Sequence, residues 1–321
     1  MLQELAFRSM NTQIQTLIES SDYVPELEDR IKIWFSQTEQ RFSRFRNDSE
    51  LSQLNQFAGE RCLISEDMLQ VLEQSRYYME QTTGAFSIFV HHALQNAGYG
   101  DSFEHIREQK QVLKPYKRAK SEGIHIDISP AMRSVVFPQA MDLGGIVKSW
   151  TVQQLSRYLR GEWMLSRGLI NAGGDIEVWG GSAEGEPWVI AIANPHKKNS
   201  ADESCLQLMT GAVATSSTLR RSWKTNEGRM HHLIDPRTMK PSQSSVIQCT
   251  VIGKDLIASE IWAKAMCILG VEDGIALLRE RTEGIEALFY TSDGAVHHAK
   301  PSINLTKGQW IGLHADFTYQ L

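Results

Sequence analysis

Between residues 123 and 253 the chain is a succession of short apolar runs that glycine and turn residues keep interrupting: GIHIDIS, GLINAGG, DIEVWGG, PWVIAIANP, SCLQLMTGAVATSS, MHHLIDP and SVIQCTVIG. Runs of that length, rich in Ile, Val and Thr and closed by Gly, Asn, Asp or Pro, read as strands. LAFRSMNTQIQTLI near the start alternates with period two from Asn11 and is read as a further strand. Helical periodicity is confined to a few longer stretches. ELEDRIKIWFSQTEQRFSRF after Pro25 has acidic residues in its first turn, and Ser65 is a suitable N-cap for EDMLQVLEQSRYYMEQ, which Gly84 ends. IVKSWTVQQLSRYLRG and DLIASEIWAKAMCILG complete the set. Many strands with a few helices that do not alternate regularly predict an α+β fold, with largely antiparallel central sheets flanked by helices.

The 321 residues are read as one domain over 1–321, with a smaller helical subdomain around 60–125. Residues 100–125 are polar and read as an irregular connection or surface helix. Charged residues make up 22% of the chain and the net charge is −5, with Lys and Arg dispersed, so nucleic acid is not an expected partner. No run of eighteen apolar residues marks a membrane span, and the amino end lacks the basic start and apolar run of a signal peptide. Cys62, Cys205, Cys249 and Cys267 are widely spaced and form no CxxC pair. A reducing cytoplasmic setting is the expectation.

DLIASEIWAKAMCILG poses a question of its own. It has the composition of a buried helix, yet Glu260 and Lys264 stand four residues apart on one face. On an open surface such a pair contributes only about 0.2–0.5 kcal/mol. Under cover, two charges need a reason.

Individually the glycine motifs are weak. MDLGGIVKSW places Gly144 and Gly145 where a helix begins, and N–H groups at a helix start can hold phosphate, although a tight strand-to-helix turn explains the same residues. INAGGDIEVW alone is a β-turn. Taken in order, FSRFRNDSELSQLN, TTGAFS, MDLGGIVKSW, INAGGDI, VATSSTLR and HHLIDPRTMKP resemble the ApbE-type FAD:protein FMN transferases from about Met10 to Gly270.

The resemblance implies an ApbE-like, T-fold-related α+β domain that binds FAD and moves its FMN part onto a threonine or serine of a target flavoprotein, releasing AMP. It implies a divalent metal, usually magnesium, to neutralise charge on the bridging and leaving oxygens. By motif, Met10, Phe45, Ala85, Phe86, Ser87, Asp142 and Lys148 fall where that family meets FAD, and His232 matches the histidine proposed to take the hydroxyl proton. An unperturbed imidazole, with a pKa of about 6.5, suits that task. Core packing is the competing explanation for Met10 and Phe45, a snorkelling stem for Lys148, and a structural histidine for His232. His231 and His232 are read within one strand, on opposite faces.

The family's metal ligands correspond to the Gly145 carbonyl and to an aspartate and a threonine whose positions hold Glu260 and Lys264. Glutamate still offers oxygen, whereas a protonated lysine offers no lone pair and can instead set its ammonium beside the pyrophosphate. Ser87 replaces an expected aspartate, and Ser149 an expected glycine. Two outcomes therefore stay open: an FMN transferase, or a non-catalytic or FAD-hydrolysing flavin binder that has lost the usual metal site. Both expect the 142–148 turn, His232 and the 260/264 pair to meet one dinucleotide.

Overall fold

The computed structural model describes residues 1–107, 113, 125–181, 185–197 and 204–321. Most of the polar connection read over 100–125 lies outside those residues, although Phe103–Arg107 is helical. The chain divides into two compact units. The first comprises Met1–Phe35, Lys148–Ser217 and Ser244–Leu321, and the second Ser36–Val147 with Thr218–Gln243.

A nine-stranded sheet runs through the first unit in chain order. Its strands are β1 (Leu2–Ser9), β2 (Thr12–Glu19), β3 (Arg167–Ala172), β4 (Asp175–Trp179), β5 (Gly211–Ser217), β6 (Val246–Gly253), β7 (Glu286–Thr291), β8 (Val296–Lys300) and β9 (Phe317–Gln320). Neighbours from β1 through β8 are antiparallel, and β9 lies parallel to β8. The antiparallel α+β architecture expected from the glycine-broken strands is therefore the observed one.

One expectation fails locally: LAFRSMNTQIQTLI is two strands, not one. Met10 and Asn11 adopt φ of 51° and 55° and reverse the chain between β1 and β2. Neither residue is glycine, so the only sequence signal for the turn is Asn11, a residue that tolerates left-handed backbone. Beside it, the β3–β4 turn does need glycine: at Gly173 (φ +65°) a Cβ would come within 1.9 Å of Thr12 Oγ1.

Alternation along the strands feeds two cores. Ile14, Ile18, Ile170, Ala172, Trp179, Ala212 and Ala214 pack against α1 (Leu27–Phe42), α3 (Val147–Gly161) and the start of α4 (Leu256–Leu269), while α2 (Glu66–Gln81), capped by Ser65, belongs to the second unit. Val178, Val213, Ile252, Leu288 and Tyr290 on the other sheet face meet a three-stranded sheet of Trp188–Ile192, Ser204–Leu208 and Gln309–Ile311. That small sheet is stitched to the large one by a buried carboxylate. Glu286 Oε1 accepts from Trp310 Nε1 at 2.6 Å and lies 2.5 Å from His298 Nε2. No helix among the described residues is long and apolar enough to cross a membrane.

A second buried acid sits beneath α3. Glu177 accepts from the Ser156 hydroxyl at 2.6 Å, but its Oε2 has no hydrogen-bond partner, and burial pushes its carboxyl up to about 7. Because the folded form holds the proton more tightly than the unfolded form, its contribution is most favourable below the ordinary glutamate range. It is lost as pH rises towards 7. Glu177→Gln should therefore raise unfolding free energy at pH 8 by up to on the order of 3 kcal/mol and change it little at pH 4. Urea melts across that range check the crossover.

Candidate functional site

The sheet and helices of the first unit assemble a chain of alternating charge. Asp175 opens β4 immediately after the Gly173–Gly174 turn, and its carboxylate pairs with the Lys148 ammonium in the first turn of α3. Lys148 Nζ lies 3.7 Å from Glu260 Oε1, and Lys264 Nζ lies 3.7 Å from the same oxygen. Glu260 is 4% exposed, in a helix whose other neighbours are Ile, Trp, Ala and Met.

The question posed by the α4 sequence is answered in physical terms: the face is covered, and the glutamate is held by two ammoniums, not one. Burial pushes its carboxyl upward, but Lys148, Lys264 and Ser149 more than offset that and hold it below the ordinary value. Asp255 caps the start of α4 by accepting from the Ala258 N–H at 2.8 Å.

Two carboxylates against two ammoniums leave this cluster formally neutral. Magnesium asks for near-octahedral oxygen donors at about 2.0–2.1 Å. Here Glu260 Oε1 already faces two cations, and only Oε2 is left as an unpartnered side-chain oxygen of that residue. Among the described residues no group of three His, Cys, Asp or Glu side chains is placed to hold an ion. With an ammonium at 264 in place of an oxygen donor, and Glu260 Oε1 facing two cations, the side chains at 260 and 264 as placed do not fit a magnesium ion.

The second unit collects a different subset of the predicted residues. The backbone N–H of Asp142 donates to the Ile88 carbonyl at 2.7 Å, which joins the GAFS segment to the MDLGG turn. Ala85 and Phe86 are buried, so neither presents its side chain to solvent, and Ser87 accepts from the Phe89 N–H at 3.1 Å. Asp142 spends both oxygens nearby. Oδ1 accepts from the Gly144 N–H at 2.8 Å, and Oδ2 lies 3.0 Å from Arg44 Nη1. Gly145 follows in the same turn, and Phe45 is half-exposed beside Arg44.

His231 ends the strand Gly228–His231, and its Nε2 lies 3.0 Å from the Ser242 carbonyl, so it donates there; burial holds its pKa below the ordinary value. His232 lies one residue beyond that strand, not within it, and its backbone N–H donates to the Arg221 carbonyl at 3.2 Å. Opposite faces of one strand are thus not what separates the two histidines.

The first unit accordingly brings Lys148, Glu260 and Lys264 together, with the Met10 turn packed against the same core; the second holds Phe45, Ala85, Phe86, Ser87, Asp142, Gly145 and His232. Arg44 and Asp175 were not singled out from sequence. Both stand inside motifs quoted for other reasons, FSRF and GGDI, and only their partners reveal them.

A model described as the ApbE family matches residues 10–289. The chain belongs to the ApbE family. Among its relatives, the FAD:protein FMN transferase of Vibrio cholerae is 26% identical over 279 residues, covering 86% of this chain and 83% of the relative. That of Escherichia coli K12 is 24% identical over 275 residues, covering 84% and 78%. A crystal structure of the ApbE protein of Thermotoga maritima aligns with a TM-score of 0.80 at 22% identity, covering 93% of this chain and 97% of that one. The V. cholerae flavin transferase ApbE aligns with a TM-score of 0.77 at 22% identity, covering 95% and 98%. These likenesses establish an ApbE fold.

If Glu260 is what makes the two lysines tolerable inside this ApbE fold, removing its charge should be costly. Glu260→Gln is expected to destabilise the protein by about 2–4 kcal/mol, because two partly buried ammoniums lose their shared partner and, among the described residues, only Lys148 keeps another, Asp175. Glu260→Gln with Lys264→Met should recover part of that loss. Guanidinium melts of the three proteins measure both effects.

Proposed function

We propose that this ApbE family member transfers FMN from FAD to a threonine or serine hydroxyl of a target flavoprotein. The hydroxyl oxygen bonds to the phosphorus on the riboflavin side, the pyrophosphate P–O bond breaks, and AMP departs with the bridging oxygen. His232 takes the hydroxyl proton. The match over 10–289, with FAD:protein FMN transferases as relatives, supports the reading. The single structural observation that carries it is the lysine pair at Glu260: two incompletely buried ammoniums lie 3.7 Å from one carboxylate oxygen, so both are on hand to donate to a diphosphate.

In this reading Lys148 and Lys264 bind and orient the phosphates, and their charge opposes the negative charge that builds on the leaving AMP. No step is assigned to a metal ion, because the donor set at 260 and 264 does not fit one. Met10, Phe45, the backbone of Ala85 and Phe86, Ser87 and the turn at Asp142–Gly145 are assigned to holding the flavin nucleotide, with Asp142 acting through the turn it braces.

The same lysines favour a second reading, in which FAD is bound but not transferred, or is cleaved slowly by water to FMN and AMP. Incubation with FAD and a candidate flavoprotein separates the cases. Transfer gives a fluorescent flavin-labelled band and one AMP per label; hydrolysis gives AMP without label; simple binding returns intact FAD. His232→Ala should abolish the label while leaving FAD affinity within about threefold, since a proton acceptor contributes chiefly to the chemical step. Full labelling by that variant would remove His232 from the mechanism.

Exchanging Glu260→Asp together with Lys264→Thr should create a magnesium affinity that calorimetry detects and the parent protein lacks. Unchanged magnesium binding would mean that these two positions do not govern the metal.

A further inference from the structure

Arg44 occupies a place that neither the motifs nor the chemistry above explains. Its side chain is 9% exposed, and the carboxylate it pairs with, Asp142, is 8% exposed. The Arg44 guanidinium carbon lies 4.5 Å from the ring centre of Phe45 and 4.5 Å from that of Tyr99. Tyr99 in turn packs on Trp223 with ring centres 5.1 Å apart, and the Trp223 indole N–H donates to the Ala97 carbonyl at 2.7 Å. Trp223 sits on the strand Ser222–Thr225, which pairs with the strand ending at His231, and the Arg221 carbonyl just before it accepts from the His232 N–H. A continuous line of contacts thus runs from the histidine segment through Trp223, Tyr99 and Arg44 to Asp142 and the Gly144 amide.

We infer that Arg44 is a positioning residue: it fixes the Asp142–Gly145 turn and ties that turn to the half-exposed ring of Phe45 and to the segment that carries His232. The inference rests on the flavin-nucleotide reading of that turn and deepens it. Three features point to positioning and not to packing alone. The ion pair is nearly closed to solvent, where a charge pair is a poor source of net stability but a strong constraint on geometry. Asp142 divides its oxygens between Arg44 and the Gly144 N–H, so the orientation of the turn follows the orientation of the guanidinium. Arginine can also do what lysine cannot: its plane lies on aromatic rings while its edge meets a carboxylate.

His91 adds a reason for the arrangement. Burial lowers its pKa, with Arg44 and His92 adding to the effect and Asp142 opposing it, and its Nδ1 has no hydrogen-bond partner. Asp142 is therefore anchored by the guanidinium in preference to a neighbouring imidazole whose charged form is disfavoured.

The test is a double-mutant cycle on FAD affinity, read by flavin fluorescence quenching, with Arg44→Met, Asp142→Asn, the pair of changes, and Arg44→Lys. Arg44→Met and Asp142→Asn are each expected to weaken FAD binding by about tenfold or more, and the double variant should bind no worse than the weaker single variant. Arg44→Lys should recover only part of the loss, having charge without the planar stack. Additive losses, or full rescue by lysine, would overturn the inference. Arg46→Met, which removes an exposed pair with Asp48, serves as the neighbouring control and should leave affinity unchanged.

A second readout needs no flavin. Amide exchange at Gly144 should accelerate by about tenfold or more in Arg44→Met, because the Asp142 acceptor is no longer fixed. Unchanged exchange would sink the positioning claim even if FAD binding fell. If the wild-type protein bound no FAD, the functional reading would fail, and Gly144 exchange would still decide whether Arg44 holds the turn. Should Arg44→Met not fold, Asp142→Asn and Arg44→Lys carry the same comparison.

Discussion

Glu260 is the interaction on which the charged part of the first unit depends. A carboxylate taken out of water is tolerated only if opposite charge and hydrogen bonds replace the lost hydration. Lys148 and Lys264 supply that charge from two helices, and Asp175 supplies the balance on Lys148. The start of α3, the first residue of β4 and the middle of α4 are thereby tied to one another by electrostatics.

The second unit uses the same device with different chemistry. Asp142 is braced by a guanidinium and in turn braces a backbone N–H. In both units a buried carboxylate serves as scaffold, for ammoniums in one and for a glycine turn in the other, and these are the groups to which the proposed function gives the phosphates and the flavin nucleotide. Such a division has an energetic logic. A fixed dipole or ammonium costs no reorganisation when negative charge arrives, whereas a mobile one must first be ordered.

The fold was legible in outline because turn chemistry and strand composition agree over the middle of the chain, and Ser65 and the α4 periodicity mark their helices by rules that need no tertiary context. What escaped depends on partners. Met10 and Asn11 take left-handed backbone without glycine, so a hairpin passed for one strand. Arg44 carries no local mark, since an arginine before an aromatic residue is usually a surface side chain; its role arises from Asp142, which meets it only after folding. Lys148 was named from its motif and Asp175 stood unremarked in GGDI; their pairing, made across α3 and β4, left no trace in the sequence. The Glu260 and Lys264 spacing was readable, and the third member, Lys148, became evident only when α3 and α4 were placed side by side.

The junction of Glu286 with His298 and Trp310 bears on how the chain is delimited. The family match stops at residue 289, inside β7 (Glu286–Thr291), and the acid on one side of that point finds its donors on the other. Shortening the protein to its matched region would strip a buried carboxyl group of both partners and uncover the sheet face that Trp310 packs on. What homology treats as an appendage is, by this chemistry, a lid nailed down from within.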